Sequence, residues 1–232
     1  FKPEIMAARK SADGAVFSYR YDNRVQITKE YRFDRQSYTG RLEITLENQS
    51  EDELRWPDGP LFTCGRMHPI DPGDSLGVDV YTGEDIIQKS EPVDPTPAHI
   101  DWLALKTKYF TAIFKPAEQP ASFFSVSGEK KGGSKPSAAK AVLGCHRGAA
   151  ASPYDYLGAA MRFPTLRLKP GERIGYSFIF YFGPANYSIL KSSGNNFQAA
   201  LDLGFLAPIC KVLIWLLNHI YAVVGGFGWG II

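Results

Sequence analysis

Apolar and polar residues alternate with a period of two along several stretches before residue 188, the pattern of strands with one covered and one wet face. In Val25 to Asp34, Val25, Ile27, Tyr31 and Phe33 face one way and Gln26, Thr28, Glu30, Arg32 and Asp34 the other, with Lys29 alone out of step. In Arg41 to Glu47, Leu42, Ile44 and Leu46 alternate with Arg41, Glu43, Thr45 and Glu47. Tyr176, Phe178, Phe180 and Phe182 form an aromatic row, and with Leu166, Leu168 and the Pro170-Gly171 turn between them they predict a hairpin. Tyr109 to Phe114 is apolar on both faces apart from Thr111, which predicts a central strand in the sheet interior. Asp58-Gly59 and Pro72-Gly73 add turns, and no long helical pattern precedes residue 188. The expected fold is mainly β, an antiparallel two-sheet sandwich. Glu91 to Pro97, with three prolines, and Ser127 to Ala141, rich in Gly, Ser and Lys, are expected to be surface loops. Lys130, Lys131, Lys135 and Lys140 in the second would attract anionic headgroups or simply keep a loop solvated. No internal repeat interrupts the pattern.

The rhythm changes near the end. Phe205 to Ile232 carries one formal charge, Lys211. Set on a helix, Ile209 to Val224 gathers Lys211, Trp215, Asn218, His219 and Ala222 in one narrow stripe, with apolar side chains around the rest. A broad apolar face with a thin polar strip predicts an amphipathic helix lying in a membrane interface. Gly225 and Gly226 break it, and Phe227 to Ile232 opens a further apolar run, expected to begin a transmembrane helix. Trp215, Tyr221 and Trp229 fall on either side of that break, where aromatics with a polar edge sit at headgroup level. The chain begins at Phe1 without an initiator Met, a basic n-region or an apolar h-region, so both ends are expected to be cut edges of a longer protein.

Composition narrows the chemistry. A hydrophobic content of 44% supports a packed core, and a net charge of +2 argues against nucleic acid, which needs clustered cations. Cys64, Cys145 and Cys210 lack ligand spacing; Cys64 and Cys145 either pair or stay as two buried thiols. The four histidines, His68, His99, His146 and His219, belong to no HExxH, phosphate loop or GxSxG elbow. His146 follows Cys145 directly, but neighbours on a strand point to opposite faces. Glu51 with Asp52, and Asp71 with Asp74, are expected in solvated turns as caps of backbone groups. No catalytic residue, metal site or cofactor is expected.

Leu166 to Gly171 (LRLKPG), Tyr181-Phe182-Gly183-Pro184 (YFGP), Leu201-Asp202-Leu203-Gly204-Phe205, and Val223 to Ile232 (VVGGFGWGII) after the amphipathic helix together resemble YidC-type membrane protein insertases. Upstream, Trp102 to Phe110 and Ile27 to Phe33 look like the family's strand motifs, in the same order. Tyr109, Phe110, Gly183, Pro184, Asp202 and Gly204 are the structural positions these motifs mark. The resemblance implies the large periplasmic domain found between the first two transmembrane helices of Gram-negative members, an antiparallel β-supersandwich like that of galactose mutarotases. It also implies a bacterial inner-membrane location, with nascent inner-membrane proteins, the Sec translocon and the lipid bilayer surface as partners. The positively charged groove of the family's helical core has no counterpart in this chain.

The expected organisation is a periplasmic β-sandwich over residues 1–188, a connector with a short helix over 189–206, an interfacial helix over 207–224 and the start of a transmembrane helix over 227–232. Phe197, Leu201 and Leu203 are expected to pack the connector on the sandwich. The membrane-interface residues expected are Lys211, Trp215, Asn218, His219, Tyr221 and Trp229. The function expected is protein contact and membrane positioning for an insertase, without chemistry. The alternative is a carbohydrate- or peptide-binding sandwich, for which no paired acid and base is apparent.

Overall fold

The computed structural model describes residues 4–11, 13–71, 73–130, 152–201 and 216. Its strands begin with β1 (Glu4–Ser11), β2 (Gly14–Tyr21), β3 (Val25–Phe33), β4 (Thr39–Asn48), β5 (Leu54–Trp56), β6 (Leu61–Met67), β7 (Gly77–Tyr81) and β8 (Ile86–Lys89). They continue with β9 (Val93–Ile100), β10 (Trp102–Lys106), β11 (Phe110–Pro116), β12 (Ala121–Lys130), β13 (Tyr154–Arg162), β14 (Leu166–Leu168) and β15 (Arg173–Pro184). Helix α1 (Tyr187–Ser192) and a 3-10 helix (Phe197–Ala200) come after them.

All the pairings among these strands are antiparallel. A nine-stranded sheet runs β1-β2-β3-β4-β15-β11-β10-β7-β8, and a four-stranded sheet runs β6-β13-β12-β9. One core joins them: Leu42, Val78, Leu105 and Phe178 from the large sheet meet Cys64, Phe124, Leu157 and Met161 from the small one. Side chains of this size contribute about 1.5–3 kcal/mol each on burial, so this layer dominates the stability of the sandwich. The period-2 stretches of β3, β4 and β15 turn their apolar rows into that layer, as their alternation requires.

Several expectations are corrected. Leu166–Leu168 does not form a hairpin with the aromatic row; β14 pairs with β5, while both edges of β15 are taken by β4 and β11. The turn between them is real but docks elsewhere: Gly171, at φ 75°, donates its N–H to the Asn48 carbonyl at 2.9 Å, and Asn48 N–H donates to Glu172 O at 3.0 Å. The proline-rich stretch is strand β9, on the edge of the small sheet, where a missing N–H costs least and the register slips twice against β12. Tyr109 and Phe110 are exposed, whereas Thr111 to Phe114 are buried in β11, one strand from the centre of the large sheet. Ser127–Lys130 also belongs to a strand, the end of β12.

Asp74 departs from the solvated turn expected of it. It is 1% exposed, and its carboxylate accepts Lys108 N–H at 2.8 Å and Ile70 N–H at 3.1 Å. The capping role holds, but inside the protein, where it ties two loops together. Cys64 is a buried free thiol whose pKa is pushed up by burial. Cys145, His146, Cys210, Pro72, Lys131, Lys135 and Lys140 lie outside the described residues.

Candidate functional site

The outer face of the large sheet carries a second apolar cluster. In β10, β11 and β15, Trp102, Ala104, Ile113 and Tyr181 point away from the main core, which is why WLALK reads as apolar on both faces. Leu190 of α1 and Phe197 and Ala200 of the 3-10 helix pack on them, and Leu190 and Phe197 are fully buried. The connector is thus bound to the sandwich by side chains from both of its helical turns. Leu201 packs at the margin, and Leu203 lies outside the described residues.

Local chemistry sets this path. Asn186 caps α1, its Oδ1 accepting Ser188 N–H at 3.0 Å and Ile189 N–H at 3.3 Å. Gly194, Asn195 and Asn196 all have positive φ, which only Gly and Asn tolerate readily, and they reverse the chain. Asn196 Nδ2 then donates to the Tyr81 hydroxyl at 3.3 Å, and Tyr81 stacks on Trp102 with ring centroids 5.1 Å apart. At the far end Lys106 Nζ is paired with the buried Asp79 carboxylate and donates to Ala200 O at 3.3 Å. An ion pair of this kind is a poor source of net stability, but it fixes where the connector leaves the sheet.

A cleft of about 560 Å³ opens on the inner side of the large sheet. Tyr19, Ile27, Lys29 and Tyr176 of the large sheet line it, together with Trp56 and Phe62. Burial raises the pKa of both Tyr19 and Tyr176, and Lys29 Nζ lies 5.6 Å from the Tyr19 ring centroid. Among the described residues neither a carboxylate nor a histidine lines it, so the cleft offers apolar contact and a cation and lacks an acid–base pair. Phe62 belongs to β6, the edge of the small sheet.

Of the residues marked by sequence, Gly183 and Pro184 close β15, where the Tyr181 hydroxyl donates to Pro184 O at 2.8 Å. Tyr109 and Phe110 stand at the same end of the sheet, Phe110 opposite Pro184 in register. Asp202, Gly204, Lys211, Trp215, Asn218, His219, Tyr221 and Trp229 lie outside the described residues; Leu216 is helical and exposed. Among the described residues no helix is long and apolar enough to cross a membrane, and no group of three or more His, Cys, Asp or Glu is placed to hold a metal. His68 Nδ1 bonds to the Asp155 carbonyl at 2.9 Å. Tyr81, Asp79, Lys106 and Leu190 are parts of the connector contact that sequence reasoning missed; the two-sided apolarity of Trp102 to Leu105 was the available signal.

A family model described as the YidC periplasmic domain matches residues 6–216. The membrane protein insertase YidC of Pseudomonas putida is 26% identical over 252 aligned positions, which include all of this chain and 40% of that protein. The chain therefore spans about 40% of the length of this relative. Among solved structures, a putative aldose 1-epimerase from Escherichia coli K12 matches with a TM-score of 0.41 at 12% identity, over 76% of this chain and 67% of the other. A galactose mutarotase-like protein from Clostridium acetobutylicum matches with a TM-score of 0.42 at 7% identity, over 79% and 67%.

Proposed function

Since the chain belongs to the YidC periplasmic domain family, we propose that it is the periplasmic module of an inner-membrane protein insertase, supplying protein contacts and membrane positioning and no chemistry of its own. The observation that carries this reading is the burial of Leu190 and Phe197 on the outer face of the large sheet. A sandwich joined to its next segment by a loose linker transmits no orientation. One joined through a buried contact does. Beyond Leu201 the chain enters the nearly uncharged Phe205–Ile232 stretch, whose Lys211, Trp215, Asn218, His219, Tyr221 and Trp229 suit the headgroup level. In this reading the bilayer surface, nascent inner-membrane proteins and the Sec translocon are the partners. Photo-crosslinking from the exposed surface of this domain in its membrane-embedded insertase, with the partners identified by mass spectrometry, tests it. Recovery of translocon subunits or nascent membrane proteins is expected, and recovery of neither would overturn the proposal.

A second reading, a binding site for an extended peptide, is favoured by the cleft beside β6, where aromatic walls adjoin the edge of a sheet. Saturable binding of an apolar peptide, lost on Trp56→Ala, is expected; equal binding by the variant would reject it. A sugar-converting site is disfavoured because, among the described residues, neither a carboxylate nor a histidine lines the same cleft.

A further inference from the structure

Six exposed large apolar side chains collect at one end of the nine-stranded sheet. Register places them: Phe33 pairs with Gly40, Thr39 with Tyr181, Gly183 with Thr111, and Thr111 with Lys106, so these positions share one rim. Phe33, Phe110 and Phe182 face the inner side of that rim, in line with the rows that end there in Tyr31, Ala112 and Phe180. Tyr38 lies against Gly183, and Tyr109 sits in the turn before β11. Ile70 joins them through Asp74, which holds the Ile70 and Lys108 N–H groups together. All six are between 41% and 56% exposed. From β3 to β11 the rim crosses three strand spacings, about 14 Å.

The described connector runs towards this same end. The 3-10 helix starts beside Tyr81, at the opposite end of β7, and finishes with Ala200 O on Lys106 Nζ, on the rim side. Residues 202–232 come next, with one formal charge after Phe205. The rim has the composition of an interfacial anchor: phenylalanine and isoleucine for the acyl boundary, tyrosines with polar edges, and Lys108 with its amine 5.1 Å from the Tyr109 ring centroid. Lys108 supplies a cation beside it, and Arg35 a second that is paired with Asp13. We propose that this rim, formed by Ile70, Tyr109, Phe110, Phe182, Phe33 and Tyr38, rests in the headgroup–acyl boundary of the lipid bilayer and sets the end-on orientation of the domain. This rests on the membrane-positioning reading above and adds a second contact, made by the β domain itself.

Flotation of the whole 232-residue chain with phosphatidylethanolamine–phosphatidylglycerol vesicles tests it. Replacing Phe33, Phe110 and Phe182 together by Ser is expected to lower partitioning on the order of tenfold, because insertion scales with buried apolar area. Phe123→Ser, away from the rim, is expected to change nothing. A single Phe110→Trp variant guards against a misfolded triple variant: its added fluorescence, relative to the parent chain, is expected to be quenched by brominated acyl chains. A parent chain that fails to float overturns the membrane-positioning reading and the rim with it. If the parent floats and the triple variant floats equally well, or the added indole answers only to aqueous acrylamide, the rim alone is wrong. An indole already shielded before vesicles are added means that protein, whether this chain or a second copy, covers the rim, and that also overturns the proposal.

Discussion

The Tyr181 hydroxyl donates to the Pro184 carbonyl oxygen at 2.8 Å, closing the last strand of the large sheet onto itself three residues before the connector helix begins. The same ring is fully buried in the connector cluster and lies 6.4 Å, centroid to centroid, from Phe197. The residue that ends the sheet therefore also receives the connector.

That position makes its ionisation costly. Burial, with a smaller contribution from Tyr38, pushes the Tyr181 pKa up from 10.0 to about 12, and burial raises Tyr19 and Tyr176 as well. Between these values the unfolded chain has lost its phenolic proton while the folded one keeps it, so the unfolded state binds fewer protons and stability falls with rising pH. Stability is expected to decline from about pH 10 towards pH 12. Absorbance at the tyrosinate band should show a late-titrating class that Tyr181→Phe diminishes; a single unshifted class would contradict the burial argument.

Gly183 is expected to be intolerant of even one carbon. A Cβ there would sit 2.7 Å from Tyr38 Cγ and 2.8 Å from the Tyr181 hydroxyl oxygen. Gly183→Ala should cost about 1–3 kcal/mol, the usual range for overpacking. Chemical denaturation of Gly183→Ala alone and with Tyr38→Ala checks this, since removing the nearer obstacle should recover part of the loss. Additive losses in the double variant would mean that the two side chains do not compete for that space.

Asn48 has the opposite problem, too many partners to lose. Its buried amide donates to Asp52 O at 2.8 Å and Leu168 O at 3.0 Å, and its Oδ1 accepts from Ser50 N–H at 2.9 Å and the Ser50 hydroxyl at 2.7 Å. Asn48→Ala leaves these groups without their partner and should cost about 2–3 kcal/mol, measured as a shift in the urea midpoint. A loss below about 0.5 kcal/mol would mean that water replaces the amide there.

These cases separate what was legible in the sequence from what was not. β3, β4 and β15 could be read from alternation because each has one covered and one wet face, and a period of two results from that alone. Strand β14 could be found but not paired, since its partner β5 lies more than a hundred residues away and the bonds that join the two regions, Asn48 to Leu168 O and Thr165 Oγ1 to Pro57 O among them, are long-range. Strand β9 was hidden because its prolines mark a turn everywhere except on a sheet edge. The exposed rim reads as interior because an apolar run does not reveal where the second sheet stops covering the first: Phe110 and Phe114 lie on one strand and one face, yet only Phe114 is buried. The connector contact was half legible. Phe197 stood out as an apolar residue beside a polar turn, while the Asp79–Lys106 pair depends on the register of β7 with β10, which no local pattern encodes.

Phe197 tests whether the connector is a docked element or an inseparable part of the core. Its ring is fully buried against Trp102, Ile113 and Tyr181 on the outer face, away from the layer between the sheets. Truncating a buried Phe costs about 3–5 kcal/mol, more than a six-residue helix and one 3-10 turn can offset from their own hydrogen bonds. Phe197→Ala is therefore expected to release α1 and the 3-10 helix while both sheets persist. Hydrogen exchange should show lost protection over residues 187–201, with β4, β11 and β15 unchanged. The variant should keep its circular dichroism in the strand region. Uniform loss of protection across the large sheet would instead make the outer cluster part of a single cooperative core, and the connector could then no longer be treated as a joint.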